Sequence, residues 1–197
     1  MKVELLQITP NPEIFIATCA SFSRRKKDFE LEEARAFIRK LIKAGHESPL
    51  EHAYASFEIE GISRVCLAQL TRHRLASFTV QSQRHVLPEY DYVIPPSILE
   101  SNDDSLKEMV SALLDAAQEV HQKLIVSGIP KEDARFFLPQ AITTSLVMTA
   151  NFREWRHIIR LRTAPDAQWE IRNLAKEIGK ILLEHAPSVF EDVVKQD

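Results

Sequence analysis

Only two cysteines and four glycines occur among the 197 residues. Cys19 and Cys66 each sit in apolar company and at a spacing that fits no zinc pattern, which argues against a disulfide framework and for two small core residues. The glycines, at 45, 61, 128 and 179, are too scattered to build a phosphate-cradling loop or a dinucleotide fingerprint, so any phosphate must be held by side chains and helix ends. No apolar run approaches the roughly 20 residues that span a bilayer, and the start, Met1 to Ile8, lacks the long apolar segment of a secretory signal. A cytoplasmic protein without a membrane partner is expected. Net charge is -3, without the broad basic field that holds long nucleic acids. No nucleic-acid partner is expected either, and the basic residues have to be read where they cluster.

The chain is otherwise ordinary in composition, with 45% hydrophobic and 27% charged residues, enough to bury a core in a single domain spanning 1–197. Residues 2–8 alternate well enough for a strand, ended by Pro10-Asn11-Pro12. Residues 13–22 fit a buried helix or a buried strand, with helix preferred. Asp28 can cap a helix with Leu31, Ala34, Phe37, Ile38, Leu41 and Ile42 on one face, stopping at Gly45. Residues 53–60 alternate as a half-buried strand, and a helix from about Ser63 sets Ile62, Val65, Cys66 and Leu70 on one face. Pro95-Pro96 breaks the chain, and an acidic linker, Glu100 to Asp104, leads to the longest helix, with an apolar stripe from Leu106 to Ile125 and a stop at Gly128. Such a stripe can also be buried against another subunit. Pro130 suits the first position of a short helix through Leu138, residues 141–149 read as a strand, Asn151 and Glu154 form a capping-box pattern, and a last helix follows Pro165. This order predicts an α+β fold: a mostly antiparallel sheet packed by several helices, one of them long.

Core packing does not explain the stretch from Gln69 to Arg84. Arg72, His73 and Arg74 stand side by side, hydroxyls and amides follow at Ser77, Thr79, Gln81, Ser82 and Gln83, and Arg84 closes it. Guanidinium forks suit phosphate oxygens, and short neutral donors discriminate heteroatoms on a base or sugar, so the stretch reads as a nucleotide site. The bland alternative is a solvated basic turn. Two later features favour the site. Arg135 lies among Ala134, Phe136, Phe137 and Leu138, where a buried anion is a more economical partner than water reached by a snorkelling stem. Arg153, Arg156, His157, Arg160 and Arg162 crowd one helix with Glu154 alone to balance them, which calls for an anionic ligand, distant carboxylates or a solvated face.

Arg72-His73-Arg74, seven residues, then Ser82-Gln83-Arg84 resembles the signature of the flavin-dependent thymidylate synthases. The likeness extends over nearly the whole chain, through Gly45 to His52, Gln69, Arg135-Phe136-Phe137-Leu138-Pro139, Asn151-Phe152-Arg153, His157, Leu161-Arg162 and Ala167 to Glu170. It departs from the family at His85, where a tyrosine often follows the signature arginine, and at Val80, beside Gln81, where an acid or amide is often found. The resemblance implies a homotetramer with sites shared between subunits, and conversion of dUMP to dTMP with FAD, methylenetetrahydrofolate and NADPH. It implies that Ser48, Arg72, His73, Arg74, Asn151, Arg153 and His157 hold FAD, and that Gln69, Arg72, Gln81, Ser82, Gln83, Arg84, Arg135 and Arg162 hold dUMP. Charge developing on the pyrimidine needs fixed donors, a role expected of Arg162, while Ser82 is a hydrogen-bond donor without a base to activate it. No metal is expected. Two rivals remain: a nucleotide- or RNA-binding regulatory protein without catalysis, for which Phe78 alone offers stacking, and a metal-dependent nucleotide hydrolase using His46, Glu47, Glu51 and His52.

Overall fold

Alternation makes the sheet. The computed structural model describes residues 1–22 and 28–194, and its four strands are β1 (Lys2–Ile8), β2 (Tyr54–Ser63), β3 (Ser77–Val80) and β4 (Thr143–Asn151), antiparallel in the order β1-β2-β4-β3. Along β2 the side chains of Ala55, Phe57 and Ile59 are buried, and along β4 those of Thr144, Leu146, Met148 and Ala150, so every second residue faces the core. On the other face Ser56 and Thr149 share a hydroxyl hydrogen bond of 2.8 Å. The α+β expectation holds, with one addition: the central motif itself contains the short strand β3, which the sequence reading passed over because its apolar residues are too few to show a period.

The chain divides into two compact units, Met1–Ile59 with Leu70–Thr79 and Val147–Asp197, and Glu60–Gln69 with Val80–Leu146. In the first unit, α1 (Pro12–Ala20) confirms the helical choice and α2 (Leu31–Lys43) buries Ala34 and Ile38. Gly45, at φ 75°, takes the left-handed conformation just past α2, which a side chain would strain. Asp28 does not cap α2: the N-cap residue is Glu30, without a side-chain hydrogen bond, so the capping expectation is corrected. The loop after Gly45 becomes a 3₁₀ turn, Ser48–His52, pinned by the fully buried Leu50. Helix α7 (Phe152–Arg162) opens on the expected cap, in which Asn151 Oδ1 accepts from the Glu154 amide at 2.8 Å. Its apolar stripe, Phe152, Trp155, Ile158 and Ile159, is buried, with the Trp155 ring edge-on to Phe57 at 5.2 Å and its indole N–H donating to Ala55 O at 3.1 Å. Helices α8 (Trp169–His185) and α9 (Pro187–Phe190) complete this unit, α8 being capped by the Gln168 side chain.

The second unit holds α3 (Arg64–Leu70), α4 (Pro96–Leu99), the 23-residue α5 (Asp104–Val126) and α6 (Lys131–Ala134), continued by a 3₁₀ turn, Arg135–Phe137. Asp103 caps α5, and Pro130 precedes α6 as its N-cap residue rather than opening it. One expectation fails here: Val65 is exposed rather than on the buried face of α3 with Ile62, Cys66 and Leu70. The apolar stripe of α5 is largely open to water, with Met109 at 70% and Leu113 at 65% exposure. Inside this unit α5 fully buries only His121, whose Nδ1 shares a 2.8 Å hydrogen bond with the Tyr90 hydroxyl. No helix among the described residues is long and apolar enough to cross a membrane.

Candidate active site

The turn after α3 determines what the Arg-His-Arg triplet can do. The His73 amide donates to Leu70 O at 3.1 Å and the Ala76 amide to His73 O at 3.2 Å, so the chain reverses tightly over the triplet. His73 turns inward and is buried, while Arg72 and Arg74 on either side of it are exposed. A histidine between two arginines is thereby removed from water while the arginines remain available to a ligand. Three residues of α7 meet His73 within the first unit. Arg162 Nε donates to His73 Nε2 at 2.9 Å, the Glu154 carboxylate lies 3.4 Å from His73 Nδ1, and the His157 ring stands edge-on at 5.8 Å.

The electrostatics follow from burial. Desolvation, helped by the Arg162 and His157 charges, lowers the His73 pKa to about 4, so the imidazole is neutral near pH 7. Burial also pushes the Glu154 carboxyl above its ordinary range, against a smaller opposing pull from His157. Because Nε2 accepts from Arg162, the single proton of the neutral ring belongs on Nδ1, facing Glu154. His73, Glu154 and His157 also bring their ligating atoms within 4.8 Å of one another, a grouping the sequence reading missed because it rests on contacts between residues far apart in the chain.

The remaining cations of α7 divide. Arg156 is 1% exposed and tied to Asp192 by two hydrogen bonds of 2.5 and 2.8 Å, to Glu47 at 3.2 Å and to the Val189 carbonyl. Distant carboxylates therefore neutralise it, and it is a structural residue. Arg153 and His157 are exposed, with Arg153 reaching Glu51 at 2.5 Å, and Ser48 opens the 3₁₀ turn that carries Glu51. Ser48, Asn151, Arg153 and His157 thus belong to the same unit as Arg72, His73, Arg74 and Arg162. The acids of the hydrolase reading are committed to arginines, Glu47 to Arg156 and Arg160 and Glu51 to Arg153, and His46 and His52 are exposed.

The second unit carries the other nucleotide candidates. Gln69 is half-buried on α3, and the Gln81 amide donates to Ser145 O at 2.8 Å. Ser82 heads a turn: its Oγ accepts from the Arg84 amide at 3.2 Å and its carbonyl from the amides of His85 and Val86, with Gln83 half-buried between. Arg84 Nε meets Glu132 at 2.5 Å, and Arg135 Nε donates to Glu132 O at 3.1 Å, so both arginines converge on one short segment. The reason given for Arg135 is corrected. It is exposed, as are Phe136 and Phe137, so no buried anion is required. Its neighbour supplies a better reason: burial and the Arg135 charge lower the pKa of Arg64, a second guanidinium in the same unit. Like charges placed near one another suit an anion. The sequence reading missed Arg64, and only its position at the head of the helix leading into the motif could have signalled it.

Neither thiol has the surroundings of a nucleophile. Cys66 is buried, and burial raises the pKa of Cys19.

Residues 4–188 match the family model described as thymidylate synthase complementing protein. A protein named flavin-dependent thymidylate synthase from Geobacter sulfurreducens is 39% identical over 202 residues, covering 98% of this chain and 86% of its own. Proteins of the same name from Clostridium tetani and Haloarcula marismortui are 37% and 34% identical, covering 97% of this chain in both cases and 86% and 94% of their own. Matches of that extent reach into both compact units, and the chain belongs to the thymidylate synthase complementing protein family.

Proposed function

We propose that this protein is a flavin-dependent thymidylate synthase that converts dUMP to dTMP, with FAD as its cofactor, methylenetetrahydrofolate as carbon donor and NADPH as reductant. The observation that carries the reading is the buried, neutral His73, held by Arg162 between two exposed arginines in a chain whose relatives bear that name. The donor set suits FAD. Arg72, Arg74 and Arg153 are exposed guanidiniums fit for a pyrophosphate, Ser48, Asn151 and His157 add polar side chains, and His73, its nitrogens taken up by Arg162 and Glu154, backs them from the buried side of the turn. When bound, FAD supplies the relay of carbon and hydride to the uracil ring, and the protein's own groups position and polarise.

In that division of labour Gln69, Arg72, Gln81, Ser82, Gln83, Arg84 and Arg135 bind dUMP. Arg84, Arg135 and Arg64 supply the charge that suits its phosphate, and Glu132 occupies Arg84 until a phosphate competes for it. Arg162 stabilises charge that builds on the pyrimidine carbonyls and imide nitrogen, a fixed cation that needs no reorganisation as the ring reacts. His73 holds Arg162 at Nε without bringing a second positive charge, because the ring is neutral. Cys19 and Cys66 take no part. The single family match across both units supports one functional domain, and the open apolar stripe of α5 offers a surface to bury against another subunit in the cytoplasmic homotetramer with shared sites that we propose. The visible absorption spectrum of the purified protein tests the reading: bound, non-covalent FAD is expected. A colourless protein that also fails to take up added FAD overturns it in favour of a regulatory nucleotide-binding protein.

A further inference from the structure

Glu154 is a buried acid whose place in the capping box does not use its carboxylate. The cap is made by Asn151 Oδ1 on the Glu154 amide, and the carboxylate lies 3.4 Å from His73 Nδ1. Burying a carboxylate costs free energy, so its surroundings should say what it does there. Those surroundings are His73, His157 and, beyond the imidazole, Arg162. A cation bridging His73, Glu154 and His157 is disfavoured because both His73 nitrogens are engaged, Nε2 by Arg162 and Nδ1 by Glu154.

We propose that Glu154 is a positioning residue for Arg162, acting through the His73 ring: its carboxylate keeps the imidazole proton on Nδ1, so that Nε2 presents the lone pair that fixes Arg162 Nε. The distance is long for a tight hydrogen bond, but the field of a buried carboxylate at that range favours a proton on the nearer nitrogen. Without the carboxylate the proton can move to Nε2, where it faces the Arg162 Nε–H as one donor against another. The guanidinium then loses the hydrogen bond that fixes its Nε edge and samples orientations less suited to the pyrimidine. Glu154 thus touches neither ligand and changes the reaction through an arginine one ring away. The inference rests on the reading of Arg162 as the charge-stabilising residue.

The test uses the full-length FAD-loaded protein with ¹⁵N-labelled histidine, the His73 signals being identified by their loss in His73→Gln. Wild type should show His73 neutral with its proton on Nδ1. Glu154→Met, which fills the same space without an acceptor, should shift the proton to Nε2 and lower kcat about tenfold, the worth of one anchoring hydrogen bond, with dUMP affinity changed by no more than about twofold. Glu154→Gln, whose amide oxygen still accepts, should retain the tautomer and most of the turnover. A proton on Nε2 in the wild type overturns the proposal, and that measurement requires no variant to fold. So does a Glu154→Met protein that turns over normally, or one that is impaired as much as Glu154→Gln with the tautomer unmoved. Full activity in Arg162→Ala would instead remove the reading beneath it, while the tautomer shift would still report the coupling of Glu154 to His73.

Discussion

Replacing Arg156 by methionine separates the two kinds of arginine that share α7. The change keeps most of the side-chain volume and deletes the charge, removing the Arg156 donor from the Val189 carbonyl and from the carboxylates of Asp192 and Glu47. Breaking a buried ion pair from one side costs about 3–5 kcal/mol. Two features place Arg156 toward the lower end. The Asp192 side chain is already 44% exposed and can rehydrate, and the buried Arg156 Nε has no hydrogen-bond partner, so methionine removes one unsatisfied donor. The expected loss is about 3 kcal/mol, or roughly 1 M or more in the urea midpoint. Arg153→Met breaks an exposed pair with Glu51 and should cost less than about 1 kcal/mol. Equilibrium urea unfolding of both variants at one protein concentration measures the contrast, the fixed concentration removing any contribution from assembly. Equal midpoints, or Arg153→Met being the less stable, would refute the division of the helix into a structural and a ligand-facing cation.

Arg84→Ala and Arg135→Ala should each weaken dUMP binding by roughly 10-fold to 100-fold, the worth of a charge-assisted bond to phosphate, and FAD binding much less; titration of both ligands checks this, and equal losses would mean the wrong ligand was assigned. A Cys19→Ala/Cys66→Ala double variant should form dTMP at close to the wild-type rate, whereas Arg162→Ala should lose on the order of 100-fold to 1000-fold in turnover with a smaller effect on dUMP affinity. A folded but inactive double variant would reinstate a thiol nucleophile. His73 binds its proton with a pKa of about 4 when folded, against an ordinary 6.5, so the folded state holds fewer protons between those values and stability falls as pH drops through that window. The full shift corresponds to about 3 kcal/mol, partly offset by Glu154, whose raised pKa acts in the opposite sense. Urea unfolding at pH 7, 5.5 and 4.5 should show a steeper acid loss in wild type than in His73→Gln, and parallel losses would contradict a buried neutral imidazole.

Periodic elements were legible in the sequence because their signal is local. β2 alternates, α2 and α7 present apolar residues three and four apart, and the Asn151 cap is readable from four consecutive residues. What the sequence could not show is which distant group answers a charge. Arg156 finds Asp192 and Glu47, and His73 finds Arg162 and Glu154, across separations that no local pattern records. One local signal was available for Arg156, since it falls with Phe152 and Ile159 at positions four and three apart on the buried face. Arg135 failed in the opposite direction. Two aromatic neighbours suggested a core, but a single 3₁₀ turn cannot bury both, and Phe136 is 80% exposed.

Asn151 has two chemically different ends, and the cap takes one of them. Its Oδ1 is committed to the Glu154 amide, so the side chain can offer an incoming ligand only the two hydrogens of Nδ2. Aspartate at 151 would cap α7 at least as well and improve the charge balance at its first turn, yet would present oxygen where the proposed FAD contact needs N–H and add a negative charge beside any phosphate. Serine would keep the cap and present one hydroxyl hydrogen on a shorter side chain. Folding alone would therefore accept other capping residues at this position, and the FAD contact proposed for Asn151 would narrow the choice.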